Sequence, residues 1–159
     1  MKNKPRRSSA TRGGGWVLIQ FPLLVLAYLI PQWTGGPFGL DRPLQWLGAS
    51  LLALGVLLTV LGMAALGRYL TPFPRPLAQA RFRRTGAYGV VRHPIYSGIV
   101  LAAAGWSLLW LSAAGVVFAL MLGVFFDRKA TCEEAWLQRK FKPYRVYQRR
   151  VKKLIPWVY

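Results

Sequence analysis

Long apolar stretches, separated by polar and basic segments, dominate the chain. The first runs from about Trp16 to Ile30, and the second from Leu44 to about Leu66. A third, Ile95 to Phe126, contains no charged residue. Since a helix needs about 20 apolar residues to cross a bilayer, this pattern predicts membrane-spanning helices.

The third stretch is too long for one crossing. As a single helix it would extend about 48 Å, against a hydrocarbon core of about 30 Å. We therefore expect it to turn back around Trp110 to Gly115 and form a tight hairpin of two short spans. The prediction is an all-α integral membrane bundle of about four transmembrane helices in one domain, residues 1–159, with no strand.

The segments outside the spans have distinct predicted roles. Residues 1–14 form a basic tail, Pro31 to Pro43 an external loop, and Gly67 to Arg92 a cytoplasmic connector. The last helix should continue to about Phe141, and Pro143 should interrupt it. Apolar residues then recur at intervals of three and four, which predicts an amphipathic helical segment on the bundle or the membrane surface. They are Leu137, Phe141, Tyr144, Tyr147, Val151 and Leu154.

Small residues on the second span indicate a close helix contact. Gly48, Gly55 and Gly62 are seven residues apart and so lie on one helix face. The partner is a neighbouring helix of the bundle or a second copy of the chain, as in a homo-oligomer.

The net charge of +18 is a topology signal. Only Arg42 lies between the first and second spans, whereas the other 21 Lys and Arg residues lie before the first span, in the connector or after the last span. The positive-inside rule places both termini in the cytoplasm of a multi-pass protein, most simply in a bacterial inner membrane. Membrane lipids are the expected partners of these cations, and nucleic acid is not. The first span lacks a cleavage site and predicts a retained helix rather than a signal peptide.

A polar cluster opens directly into the third apolar stretch. His93 is the only histidine, and Pro94 stands where a helix would begin. The free N–H groups of a first helical turn attract carboxylate or phosphate, and Arg92 adds a fixed positive charge. The alternative is that Arg92 and His93 anchor the helix end at the headgroups.

A glutamate pair follows the last span. Glu133 and Glu134 are two of only four acidic residues, and a carboxylate accepts hydrogen bonds from neighbouring hydroxyls such as those of a ribose. Surface salt bridges are the alternative. The hairpin brings this pair and the His93 segment to the same cytoplasmic rim. With one His and one Cys there is no metal-ligand set.

These motifs resemble the isoprenylcysteine carboxyl methyltransferase family and related phospholipid methyltransferases. The matching residues are TGAYGVVRHPIYSG (Thr85 to Gly98), EEAWLQRKF (Glu133 to Phe141), Tyr144, Tyr147, Arg150-Val151 and Pro156. The resemblance covers residues 84–156, and residues 16–66 match only as generic spans. It implies an integral membrane enzyme that transfers a methyl group from S-adenosylmethionine to a hydrophobic or lipid-like acceptor.

The resemblance also implies site residues. Those that would hold the cofactor are Tyr88, Arg92, His93, Pro94, Tyr96, Gly98, Glu133, Glu134 and Tyr144. Arg128 and Glu134 are the implied catalytic residues near the acceptor. The usual Phe-Gly after the glutamate helix is Phe141-Lys142 here, so the chain departs from the family pattern at that point.

Two other functions are consistent with parts of the sequence. Membrane sterol reductases carry a similar RHPxY-like segment but bind NADPH, usually have Asn where Ile95 stands, and need more spans. A non-enzymatic lipid-binding membrane protein would leave His93 and the glutamate pair without a task.

Overall fold

The computed structural model describes residues 13–38, 40 and 42–159, and these residues form six α-helices. The basic tail thus lies almost wholly outside the described residues. In chain order the helices are α1 (Gly14–Thr34), α2 (Pro43–Leu66), α3 (Ala87–Val90), α4 (Pro94–Leu109), α5 (Ala113–Lys140) and α6 (Tyr144–Arg150).

Two helical segments are long and apolar enough to cross a membrane, Gly14–Thr34 and Pro43–Tyr69, where a short 3₁₀ turn extends α2. Helix α4 is apolar but shorter. The predicted end of the first helix at Pro31 is wrong, because α1 continues to Thr34. The Pro31 carbonyl accepts a hydrogen bond from Gly35 N (2.9 Å), so the proline does not stop the helix.

Helices α4 and α5 are separated by only three residues, Trp110–Ser112. Leu111 has a left-handed backbone (φ 52°). The Ser112 hydroxyl accepts a hydrogen bond from Gly115 N (2.9 Å) and caps α5. The turn is therefore shorter than the predicted Trp110 to Gly115, and α4 and α5 pack against each other.

A seam of glycines joins α2 to α4. A Cβ atom on Gly48 would lie 2.8 Å from the Gly105 carbonyl oxygen, and one on Gly55 would lie 2.6 Å from the Gly98 carbonyl oxygen. The two backbones are thus in direct contact, as small residues permit. Because α4 covers the stripe, the stripe is not free for a second copy of the chain, and a homo-oligomer would need another surface.

The segment after α5 folds back on the bundle. Tyr144 and Tyr147 of α6 are buried. Beyond Arg150 the chain leaves helical geometry, so the predicted helical segment is only partly helical. Instead, Arg92 N donates to the Lys152 carbonyl (2.8 Å) and His93 N donates to the Lys153 carbonyl (3.1 Å). The N–H groups just before α4 have no partner within a helix, so carbonyl groups of the extended segment after α6 accept their hydrogen bonds.

Candidate active site

A cavity of about 310 Å³ lies where the RHP segment, α5, α6 and the connector after α2 meet. Helices α1 and α2 contribute Gln20, Thr59 and Met63 to its wall. It also contains six of the residues predicted from sequence: Tyr88, Arg92, His93, Tyr96, Glu133 and Tyr144. The two motifs that are distant in the chain therefore share one cavity.

Glu134 is held by the groups around it. It accepts hydrogen bonds from Arg92 Nε (2.6 Å), His93 Nε2 (3.1 Å) and Gln148 Nε2 (2.8 Å). Arg92 in turn donates to the Val151 carbonyl (2.6 Å). Glu134 is buried and does not line the cavity. Its contacts join the residues just before α4 to α5 and α6, so Arg92 and His93 are held against Glu134.

The pKa of Glu134 reflects this arrangement. Burial by itself would raise the pKa, but the hydrogen bonds and charges of His93 and Arg92 outweigh it and lower the pKa to about 2. Glu134 is therefore a carboxylate at neutral pH.

Glu133 faces the cavity. Its Oε2 accepts a hydrogen bond from the Tyr96 hydroxyl (2.9 Å) and lies 3.9 Å from His93 Nδ1. A quarter of its side-chain surface remains exposed. Burial raises its pKa, which the neighbouring His93 opposes. Since a carboxylate can accept several hydrogen bonds, Glu133 keeps acceptor capacity for a ligand.

A stack of aromatic rings holds His93 next to the two glutamates. The His93 and Tyr96 rings are parallel to within 5° at 5.4 Å, and Tyr96 stacks on Phe126 at 4.8 Å. Pro94 is the first residue of α4, and the restricted backbone angle of proline favours a helix start there. Because His93 and Tyr96 flank Pro94, this start places both rings. The imidazole is 6% exposed and has little freedom to reorient.

Aromatic side chains form another part of the wall. The Phe82 ring lies 5.5 Å from Phe141, 5.8 Å from Tyr144 and 5.4 Å from Tyr147. Gly86, with φ 62°, lets the connector turn into α3, which carries Tyr88. Sequence reasoning did not identify Phe82, because a lone aromatic residue in a connector carries no signal for its partners.

Lys129 is a second residue that sequence reasoning missed. It is 1% exposed, lines the cavity and donates hydrogen bonds to the Gln20 side chain and to the Pro72 carbonyl (2.8 Å). Its Nζ lies 5.4 Å from the centre of the Tyr96 ring. Burial lowers the pKa of Lys129 to about 8. The available signal in the sequence was Gln20, an amide within the apolar stretch Trp16 to Ile30.

Four predicted site residues lie elsewhere. Arg128 is exposed and does not line the cavity. Pro94 and Gly98 are buried outside its wall, where Gly98 packs against α2. Glu134 lies behind the wall, as described. Among the described residues, no group of three His, Cys, Asp or Glu side chains could hold a metal ion.

Comparison with known proteins identifies the family. Residues 44–144, more than half of the chain, match the phospholipid methyltransferase family model. The chain belongs to the phospholipid methyltransferase family. The match includes α2, both polar motifs and the α4–α5 pair.

Similar proteins carry methyltransferase names. A probable protein-S-isoprenylcysteine O-methyltransferase of Oryza sativa is 26% identical over 118 residues, which is 72% of this chain and 62% of the relative. Methanethiol S-methyltransferase 1 of Bradyrhizobium diazoefficiens is 36% identical over 78 residues, 48% of this chain and 27% of the relative. The Schizosaccharomyces pombe protein-S-isoprenylcysteine O-methyltransferase is 36% identical over 75 residues, which is 46% of this chain and 32% of the relative. The chain thus spans less than two thirds of each relative.

Proposed function

We propose that this chain is an integral membrane methyltransferase that transfers a methyl group from S-adenosylmethionine to a hydrophobic or lipid-like acceptor. The observation that carries the proposal is the shared cavity, in which Glu133, His93, Tyr96 and a ring cluster meet a buried Lys129. Family membership points to the same reaction.

The residues of the cavity fit the chemical groups of this cofactor. Glu133 offers an acceptor for ribose hydroxyls, and Phe82, Tyr88 and Tyr147 offer faces for a purine. Arg81 and Arg83 also line the cavity and match a carboxylate. Tyrosine rings attract a cationic sulfonium. When bound, S-adenosylmethionine supplies an electrophilic methyl group.

The chain's own residues would align and desolvate the acceptor. Methyl transfer from a sulfonium is a direct displacement that depends on orientation and exclusion of water more than on strong acid–base groups. Met63, Leu66 and Ile99 give the cavity an apolar side. Lys129 lies where it would hold an anionic acceptor, a carboxylate or a thiolate, and we assign it the role that the resemblance gave to Arg128.

The proposal includes the membrane arrangement. Helix α4 and the first half of α5 would cross the membrane beside α1 and α2. The cavity would then lie at the cytoplasmic rim of the bundle and open toward lipid. The relatives' names include both a small thiol and a prenylated cysteine as acceptors, and both remain candidates here. Neither the family match nor the relatives support NADPH reduction or a purely lipid-binding role.

The test is cofactor binding followed by labelled methyl transfer, with the protein in nanodiscs. Wild-type protein should bind S-adenosylmethionine in calorimetry and not NADPH. Glu133→Gln should weaken binding about tenfold or more, the effect of losing a charged acceptor worth about 1.5–3 kcal/mol. The matched change is Gln148→Glu on the far side of Glu134, which should lower stability more than affinity. Absence of S-adenosylmethionine binding by wild-type protein would overturn the proposal.

A further inference from the structure

Gln20 is a buried amide in the first half of α1. It lies on the face of α1 that packs against α5. Trp16, one turn before it, contacts the Phe125 ring at 5.4 Å, and Ala27, two turns after it, belongs to the buried core. Gln20 is 9% exposed and lines the candidate active site. Because an unpaired amide is costly to bury among apolar helices, its polar atoms need partners at this position.

One end of this amide is committed to the protein and the other is not. Gln20 Oε1 accepts a hydrogen bond from Lys129 Nζ. This contact fixes the orientation of the amide, because only its oxygen can accept. Within the described part of the chain, Gln20 Nε2 has no hydrogen-bond partner. The amide therefore keeps two N–H donors for a ligand in the cavity.

Lys129 is divided between the protein and the cavity in the same way. An ammonium group has three N–H donors. One donates to Gln20 Oε1 and one to the Pro72 carbonyl (2.8 Å), so one remains. The Tyr96 ring, centred 5.4 Å from Lys129 Nζ, lines the same cavity. The amide of α1 and the ammonium group of α5 thus hold spare donors side by side at the cavity wall.

We propose that Gln20 completes the acceptor site, where it orients the Lys129 ammonium group and donates from its own amide to the reacting group of an anionic acceptor. This inference rests on the proposed function. Held at two points, the acceptor has a fixed direction as well as a fixed position, which favours in-line transfer. Its electron pair forms the bond to the methyl carbon as the bond from that carbon to the sulfonium sulfur breaks, so its negative charge is lost and no proton has to move. Gln20 precedes residues 44–144, so the family match does not include it.

The ionisation of Lys129 reports on Gln20 independently of packing. Burial lowers the pKa of Lys129 to about 8, and the negative charge of Glu133 opposes this shift. From the other elements, Lys129 is faced by Gln20 of α1, the Tyr96 ring of α4 and the Pro72 carbonyl of the connector. The further cations of the cavity wall are Arg81, Arg83, Arg92 and His93, and the variants below leave them unchanged.

The experiment measures kcat/KM against pH in nanodiscs, with N-acetyl-S-farnesylcysteine or decanethiol, whichever the wild-type protein methylates faster. Gln20→Leu should lower kcat/KM about tenfold or more, the effect of losing hydrogen bonds to charged groups. The pH at which the rate falls should also decrease, because the Lys129 ammonium group loses an acceptor. Gln20→Glu should lower kcat/KM as well, since a carboxylate has no N–H donor and repels an anion. In that variant the fall should instead move to higher pH, because a negative charge favours the ammonium form.

The matched control is Gln32→Leu, the same substitution in the same helix. Gln32 donates to the Tyr28 carbonyl (2.8 Å) and lies outside the cavity wall, so this variant should keep the wild-type rate and pH profile. A second measurement needs no turnover. Calorimetry with the same acceptor and no cofactor should show weaker binding to Gln20→Leu than to Gln32→Leu. Equal affinity of all variants for S-adenosylmethionine shows that they are folded.

Opposite shifts of the pH profile in the two Gln20 variants would support the inference, because a loss of packing alone does not reverse its sign. Wild-type behaviour of Gln20→Leu would overturn the inference and leave the proposed function intact. If Gln20→Leu fails to bind S-adenosylmethionine, an unshifted profile in Gln20→Glu would overturn it, and so would loss of cofactor binding in both variants. Wild-type protein that binds the cofactor but methylates neither acceptor would also overturn it. Absence of both cofactor binding and transfer would overturn the proposed function as well.

Discussion

Adjacent residues of this chain have different tasks. Glu133 faces the cavity with one hydrogen-bond donor on its carboxylate, whereas Glu134 is held by Arg92, His93 and Gln148. The same contrast separates Arg128, which is exposed, from Lys129, which is buried in the cavity wall. On a helix, neighbours point about 100° apart, so one faces the site and the other does not.

The ion pairs of Glu134 predict acid sensitivity. Its folded-state pKa, about 2, lies below the ordinary value of 4.5, so it contributes stability above pH 4.5 that is lost as pH falls toward 2. The shift corresponds to about 3 kcal/mol for this nearly buried group. Thermal unfolding in nanodiscs should show Glu134→Gln less stable than wild type at pH 7, with a smaller loss of stability between pH 5 and 2.

The control for this experiment is Glu133→Gln. Burial raises the pKa of Glu133, so removing its charge should leave the acid-induced loss of stability in place. A Glu134→Gln protein with the same pH dependence as wild type would contradict the assignment.

Lys129 and Arg128 give a second residue-scale prediction. Lys129→Met should lower kcat/KM about a hundredfold, the cost of losing one well-placed charged donor. Because the ammonium form of Lys129 is the one that would hold an anionic acceptor, and its pKa is about 8, the wild-type rate should fall as pH rises through about 8, and Lys129→Arg should move that fall to higher pH. A large loss in Arg128→Met with an active Lys129→Met would instead support the role that the resemblance gave to Arg128.

At the scale of elements, α4 is the support of the site. The glycine seam fixes it against α2, and α5 packs on it as well. The chain beyond α6 holds the start of α4 in place. The Lys153 side chain donates hydrogen bonds to Asp127 and Thr131 of α5, and the Lys153 carbonyl accepts one from His93 N. The start of α4, where the motif lies, is therefore fixed from two sides.

The seam predicts an unusual cost for a small substitution. Gly55→Ala should destabilise the protein by about 1–3 kcal/mol, because the added methyl group would meet the α4 backbone at Gly98 and Ala102. Gly15→Ala, where a Cβ meets nothing within 4 Å, should be neutral or slightly stabilising. Thermal unfolding of both variants measures the difference, and equal effects would show that α2 and α4 are not in close contact.

At the scale of the whole molecule, the distribution of charge predicts the orientation. The proposed topology has both termini and the connector in the cytoplasm, which would put the cavity on the cytoplasmic side of the membrane. In a Cys132→Ser background, a membrane-impermeant thiol reagent should label Pro37→Cys from outside intact cells. The same reagent should label Ala78→Cys only after lysis.

A reporter protein that becomes fluorescent only in the cytoplasm should fluoresce when it is fused after Tyr159. Labelling of Ala78→Cys from outside intact cells would contradict the predicted topology. So would a full-length fusion protein that is not fluorescent.

The amino-acid pattern was enough to predict the long apolar helices α1, α2, α4 and α5, the start of α4 at Pro94, and the meeting of the RHP segment with the glutamate pair. These follow from long apolar runs, from a proline that favours a helix start and from a run too long for one crossing. Only the packed structure shows which glutamate faces the cavity, that Lys129 rather than Arg128 lines it, and that Gln20 and Phe82 join it. Adjacent polar residues on α5, and a lone aromatic residue in the connector, carry no signal in the sequence of which one faces a neighbouring element, so only the packed bundle specifies those choices.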